Sequence, residues 1–185
     1  MLTTIRYFLI VALFFPILAI SQEKEEELLT WSPTTKLEWA DYNGKPDPKS
    51  DAAASTATHL GFEYKIRNNE FSFKITCFFS KDKSWGVVKT DYILSHEQGH
   101  FDIAEIHARK LNKKMADFKL NKNSYRTDLD KIYYDILEEK DVMQTNYDNE
   151  TNYSRDKEKQ AEWLKKIEIM LEELNSYAGY NQKSP

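Results

Sequence analysis

Apolar residues recur along this chain with two periods, and the change of period divides it. Leu60, Phe62, Tyr64 and Ile66 alternate onto one face, and Phe71, Phe73, Ile75, Cys77 and Phe79 do the same. A period of two marks half-buried β-strands. Asn68-Asn69 between the runs tolerates the positive φ angles of a tight hairpin turn. Trp85, Val87 and Val88 predict a further short strand. From Thr90 to Leu120 the spacing turns helical: Tyr92, Ile93, His96, Gly99, His100, Ile103, Ile106 and His107 share a face, which Leu111, Met115 and Phe118 prolong. Thr90 or Asp91 serves as its N-cap. A second helix is expected from about Asp128 to Met143 behind a Thr127 cap, with Leu129, Ile132, Tyr133, Ile136, Leu137 and Met143 facing the core. The polar segment Gln144–Tyr153 breaks the period and reads as a loop. A third helix is expected from about Arg155 to Ser176 behind Ser154, on a stripe through Ala161, Trp163/Leu164, Ile167, Met170/Leu171 and Leu174. Ahead of the hairpin, Gln22–Leu29 reads as a charged lead-in and Lys45–Ser55 as loop, with Trp31 and Trp39 as core anchors. The order of elements predicts an α+β fold: a small antiparallel sheet, then three helices.

The first residues carry a different signal. Arg6 is followed by an almost unbroken apolar run from Tyr7 to Ile20, and Ala19-Ile20-Ser21 fits the small-x-small cleavage rule. Residues 1–21 are therefore read as a signal peptide, with Gln22 as the mature N-terminus. The run is too short for a confident membrane span, so none is expected after cleavage. Export implies a periplasmic or extracellular location. Gln22–Pro185 is of single-domain size.

Composition then removes whole classes of function. Loss of 1–21 takes away Arg6 and no acid, which moves the formal charge from −4 to −5. A mildly acidic chain without a basic run is a poor partner for nucleic acid. Cys77 is the single cysteine, so no internal disulfide staples this exported chain. Its place on the apolar side of a strand makes it a buried hydrophobe rather than a nucleophile. His59, on the opposite face with Glu63, reads as a surface histidine.

The chemistry concentrates in the long first helix. His96-Glu97-Gln98-Gly99-His100 is an HExxH motif. Residues four apart stack on one helical face. Two imidazoles so placed can grip one zinc ion at about 2.0–2.1 Å each, with Glu97 beside the metal as a proton acceptor. Gly99 costs about 1 kcal/mol relative to alanine inside a helix, so something approaches the helix closely there, and a strand lining a substrate cleft is the candidate.

A catalytic zinc takes three protein ligands and a water, and the motif supplies two. His107 lies about 10 Å further along an unbroken helix, out of reach. Ile103 and Ile106 stand where the metzincin pattern needs glycine and histidine. Glu105 points away from the histidine face. The third ligand must come from another element: Glu138 or Glu139 on the second helix, or Asp148, Glu150 or Tyr153 in the polar segment after it. Asp148 is preferred, because an irregular loop can aim a side chain at the metal. Tyr147 or Tyr153 can donate a hydrogen bond to an oxyanion, and Tyr153 is taken as the catalytic partner of Glu97.

Three stretches also carry a resemblance. Trp31 and LEWADYNGKP (Leu37–Pro46), YILSHEQGHFDIAEIHARKL (Tyr92–Leu111), and YDNET (Tyr147–Thr151) followed by KEKQAEWLKKI (Lys157–Ile167) occur in that order. In this the chain resembles a secreted bacterial family of predicted zinc-dependent proteases, domain of unknown function nine-two-two, over nearly all of the mature sequence. The resemblance implies that His96 and His100 hold the metal and that Glu97 is the catalytic glutamate. Many members of that family carry YDxxTxH, with histidine where this chain has Tyr153; if that histidine is the family's third ligand, the resemblance implies that this chain has lost or exchanged it. The expectation is a zincin-like, exported zinc peptidase acting on a peptide or protein substrate. The alternative is a catalytically weak or inactive binding module on the same scaffold. Substrate preference and oligomeric state are not encoded in any of these signals.

Overall fold

A computed structural model describes residues 25–34, 36–68 and 70–182. The segment read as a signal peptide, 1–21, lies outside them, as does Asn69. The alternating runs form the predicted hairpin. Strands β3 (Thr58–Arg67) and β4 (Glu70–Ser80) pair antiparallel, with Leu60 opposite Cys77, Phe62 opposite Ile75 and Tyr64 opposite Phe73. The register therefore stacks both apolar sets on one face. Asn68 adopts φ 51° at the turn. The lead-in contributes more than expected: Leu28–Thr30 is strand β1, which pairs with β4 and completes a sheet of order β1-β4-β3. The end of the expected 45–55 loop is also a strand. β2 (Ala54–Ser55) pairs with β5 (Trp85–Gly86), a two-residue pair apart from the main sheet. Val87 and Val88 lie past the strand, and both their N–H groups donate to the Ala53 carbonyl (2.8 and 3.0 Å).

Helix α1 (Asp91–Ala116) is the axis of the molecule. Thr90 caps it, its Oγ1 accepting from the Ile93 N–H at 3.2 Å. Capping of this kind contributes about 1 kcal/mol. The helix stops at Asp117, short of Leu120. It is buried on more than one side. Phe101, Ala104, Ala108, Leu111 and Met115 pack on the sheet residues Leu60, Ile75, Cys77 and Phe79. Ile103 and Ile106 pack instead against Tyr147, Trp163 and Ile167. Burial of each such aliphatic side chain stabilises the fold by about 1.5–3 kcal/mol. Cys77 is fully buried as expected, and burial pushes its thiol pKa well up.

The second helix departs most from the sequence reading. α2 runs from Tyr125 to Glu150, so it starts before the expected Thr127 cap and absorbs most of the supposed 144–153 loop. Periodicity failed there because Gln144 and Asp148 take inward positions and meet polar groups on α1, which leaves Tyr147 as the buried aromatic of the stretch. The chain breaks only after Thr151, whose Oγ1 donates back to the Tyr147 carbonyl at 2.7 Å. Asn152, Tyr153 and Ser154 then adopt φ 48°, 52° and 65°, three left-handed residues in succession. Backbone bonds hold the turn: Asn152 N–H to Asn149 O (3.2 Å), Tyr153 N–H to Asp148 O (2.7 Å) and Arg155 N–H to Asn152 O (3.1 Å), with Asp156 N–H to Thr151 O (2.9 Å) closing it. Asp156, not Ser154, caps α3 (Lys157–Glu173), accepting from the Lys159 N–H at 3.0 Å. A 3₁₀ segment over Asn175–Gln182 returns to α1, where Tyr180 donates to Glu105. None of the described helices is long and apolar enough to cross a membrane.

Candidate metal centre

Helices α1 and α2 bring three acceptor atoms together. Asp148 Oδ1 lies 3.2 Å from His96 Nε2 and 3.1 Å from His100 Nε2, and the ligand atoms of the three residues all lie within 4.8 Å of one another. Asp148 converges as expected, but it does so from a helix and not from an irregular loop. One turn before it on α2, Gln144 fixes the chemistry of His100. The Gln144 Nε2 donates to the His100 carbonyl at 2.9 Å, so its Oε1 must face the ring, where it accepts from Nδ1–H at 2.5 Å. A neutral His100 therefore has its lone pair on Nε2, aimed at Asp148. Such outer partners set the tautomer and the ring orientation of metal-binding histidines. Two kinds of cation fit between these acceptors: protons on the imidazoles, or one metal ion.

The electrostatics agree with that reading. Burial acts to lower the His100 pKa, but the hydrogen bond to Asp148, the charges of Glu97 and Asp148 and the Gln144 bond outweigh it, and the net direction is upward. Burial pushes the Asp148 carboxyl up, yet the bonds to His100 and His96 hold it well below the usual carboxylate range. The cluster favours positive charge at its centre.

Tyr147 supports the histidines from behind. Its ring stacks on His96 (centroids 4.4 Å apart, 20° between planes) and meets His100 edge-on at 5.0 Å. Its hydroxyl donates to the His96 carbonyl at 3.2 Å, and the residue is fully buried. The hydroxyl is thus occupied and is not the oxyanion partner considered from sequence. Tyr147 also explains Gly99: a Cβ at that position would sit 2.5 Å from the Tyr147 hydroxyl. The close neighbour is this tyrosine, not a strand of a cleft. The His96 Nδ1 is buried without a hydrogen-bond partner, so His96 is held by stacking rather than by a second bond.

Glu97 is oriented from the β2 side. Thr56 Oγ1 donates to Glu97 Oε2 at 2.6 Å, and the Tyr42 hydroxyl lies 2.9 Å from the same Oγ1. The carboxylate can only accept, so the threonine proton points to it and Tyr42 must donate to the threonine. Nothing local in the sequence marked Thr56, Tyr42 or Gln144. Tyr42 does fall in the LEWADYNGKP stretch, which was its only available signal.

The remaining candidates separate clearly. Glu150 Oε2 accepts from Trp163 Nε1 (2.8 Å) and Glu139 pairs with Lys110 (3.0 Å). Glu138 is exposed and belongs to no metal-ligand cluster among the described residues. His107 is fully buried and bonds the Ile103 carbonyl at 2.8 Å, with burial lowering its pKa to about 4. His59 sits at the surface near Glu26. Tyr153 is outside the ligand cluster but lines the same cleft and is 53 % exposed. That cleft, about 1280 Å³, opens along α1 over His96, Glu97, His100 and Asp148.

The opposite side of α1 explains other residues of the motif region. Gln98 Oε1 accepts from the Leu37 N–H at 2.9 Å, while Asp102 accepts from Trp31 Nε1 (2.7 Å) and from Gln98 (2.9 Å). Gln98 and Asp102 thus clamp the N-terminal segment to the helix that bears the histidines, as one unit of sequence. No curated protein and no solved structure matches the chain. The profile of one family, described as bacterial protein of unknown function (DUF922), matches residues 31–155, which include Trp31, the whole of α1 and Asp148. That span is more than half of the sequence, and the chain belongs to this DUF922 family of bacterial proteins.

Proposed function

We propose that the chain is an exported zinc-dependent peptidase. The carrying observation is the convergence of His96 Nε2, His100 Nε2 and Asp148 Oδ1 at one point in an open cleft, with the Glu97 carboxylate on the next position of the same helix. Two imidazoles and one carboxylate form a donor set suited to zinc. When bound, zinc supplies Lewis acidity, which lowers the pKa of a bound water to about 7 and polarises a carbonyl. Glu97 takes the proton of the attacking water and returns it to the leaving nitrogen. Thr56 keeps one carboxylate oxygen engaged and leaves the other for that proton. Gln144 holds His100 in the tautomer that presents Nε2. Tyr153, at the cleft mouth, donates its hydroxyl to the developing oxyanion. His96, His100 and Asp148 supply three ligand atoms without a histidine at 153. The apolar run Tyr7–Ile20 behind Arg6 supports a periplasmic or extracellular location.

The test combines metal analysis with cleavage. One equivalent of zinc is expected in the wild type and none in a His96→Ala/His100→Ala double variant. Peptide hydrolysis is expected to fall by several orders of magnitude in Glu97→Gln with zinc retained. Zinc binding without turnover of a broad peptide library would favour a binding module on this scaffold, and failure to bind zinc would sink the proposal.

A further inference from the structure

The cleft is chemically unequal at its two ends. α1 and α2 run antiparallel across the site: Asp148 meets His96 and His100, Gln144 meets His100, and Glu139 meets Lys110. The end beside the start of α1 is lined mainly by the apolar and aromatic Val87, Val88, Tyr92, Ile93 and Tyr153, with the exposed Arg155 next to Tyr153. Val87, Val88 and Tyr153 are more than 45 % exposed, an unusual state for such side chains. The far end, past His100, is lined by Thr58 and Lys140.

Lys140 continues the inward stripe of α2 that carries Gln144 and Asp148, at spacings of four and eight residues. Its side chain is only 14 % exposed. Its charge also reaches the interior: after burial, it is among the charges that act on the buried Cys77 and His107. Its ion-pair partner, Asp141 at 3.1 Å, is 72 % exposed. A pair with so wet a carboxylate contributes little, so Asp141 is easily replaced by a carboxylate that enters the cleft. The other cation of the cleft, Arg155, is exposed and lies at the opposite end.

We infer that Lys140 forms a carboxylate-binding subsite, which directs the protein to peptides bearing an acidic side chain or a free C-terminus a few residues from the bond cleaved, with an apolar residue on the other side. The inference rests on the peptidase reading above and names its substrate class. Eight residues of α2 span about 12 Å, the length of about three to four residues of extended peptide.

The test uses zinc-loaded Glu97→Gln protein and peptides in matched pairs: glutamate against glutamine at each position, and free against amidated C-termini. The first series reports a side-chain carboxylate and the second a terminal one. At least about fivefold tighter binding is expected for the acid member of one series, at a position two to four residues from the cleavage point. Lys140→Met should erase that preference and Lys140→Glu should reverse it towards lysine-bearing peptides, with zinc content unchanged. Equal binding of acid and amide members, or a preference that survives Lys140→Met and disappears in Arg155→Met, would overturn the inference. Cleavage by the wild type is read separately. Hydrolysis without any carboxylate preference removes this inference alone, whereas zinc-loaded protein that cleaves nothing removes the peptidase reading and leaves the binding comparison to decide on Lys140.

Discussion

Helix α1 carries two polar clusters on nearly opposite sides, and they are satisfied in opposite ways. Away from the cleft, donors meet acceptors of the same chain. Trp31 and Gln98 donate to Asp102, Arg109 and Tyr180 donate to Glu105, and Arg109 also reaches the Leu171 carbonyl at 2.6 Å. On the cleft side, the single oxygen Asp148 Oδ1 lies within hydrogen-bond distance of both His96 Nε2 and His100 Nε2. Buried polar groups that find their partners within the chain hold a structure together. Two imidazoles and a carboxylate that meet at one point favour positive charge there, as protons or as a metal ion. The same helix therefore combines a structural lock and a candidate metal site, and the lock keeps the site's geometry.

The contrast can be broken first at the lock. Arg109 and Glu105 form a pair at 2.8 Å with both side chains almost wholly buried. Arg109→Ala should cost about 3–5 kcal/mol, because it strands a buried carboxylate. Denaturant unfolding measures this, and a loss below 1 kcal/mol would deny the cluster its structural role. On the site side the effect should fall on metal and not on folding. Asp148→Ala is expected to weaken zinc binding by more than the roughly 10–100-fold that loss of an outer partner costs, and Gln144→Leu by that smaller amount. Competition titration with a chromophoric chelator reads both, and unchanged affinity in Asp148→Ala would remove it as a ligand. Gly99→Ala couples the two sides. Its Cβ would force Tyr147 away from the helix, so about 1–3 kcal/mol of stability should be lost, together with zinc affinity, since His96 leans on that ring. Thermal melts with and without zinc would reveal the coupling as a smaller zinc-induced shift.

The gentlest probe compares two histidines of one helix. In the metal-free protein His100 has its pKa raised above the ordinary 6.5, while His107 is lowered to about 4. A raised histidine adds stability that is fully present below 6.5 and is lost as pH rises through its folded value. A lowered one does the reverse: its contribution is present above 6.5 and is lost as pH falls through about 4. Between those limits acidification therefore loads the two sites in opposite senses. Histidine titrations followed by NMR should show one midpoint above 6.5 and one near 4, and two coincident midpoints would contradict the difference in surroundings.

Much of this was legible in the sequence because it is local. Alternation located the hairpin, a threonine before an amphipathic run located the start of α1, and HExxH located two of the three residues that could hold a metal ion. Asp148 was singled out from a polar segment taken for loop, and it does converge with the histidines. The helical nature of that segment was hidden for a physical reason: Gln144 and Asp148 occupy inward positions that an apolar stripe would otherwise fill. Thr56 and Tyr42 had no local signature, since each matters only through a contact made across the fold. Gln144 illustrates the same limit in another way. Its spacing of four from Asp148 becomes meaningful only once α2 is known to continue through both residues.

The three left-handed residues that join α2 to α3 carry an implication for how this protein can change. None of Asn152, Tyr153 and Ser154 is glycine, and each non-glycine residue in that conformation costs about 1–2 kcal/mol, least for asparagine. A chain selected for stability alone would drift to glycine at 153 and fold more tightly for it. Tyrosine there keeps an aromatic hydroxyl at the mouth of the cleft at the expense of backbone comfort. Engineering for heat resistance would find its easiest gain at this turn, and would take it from the tyrosine that lines the cleft.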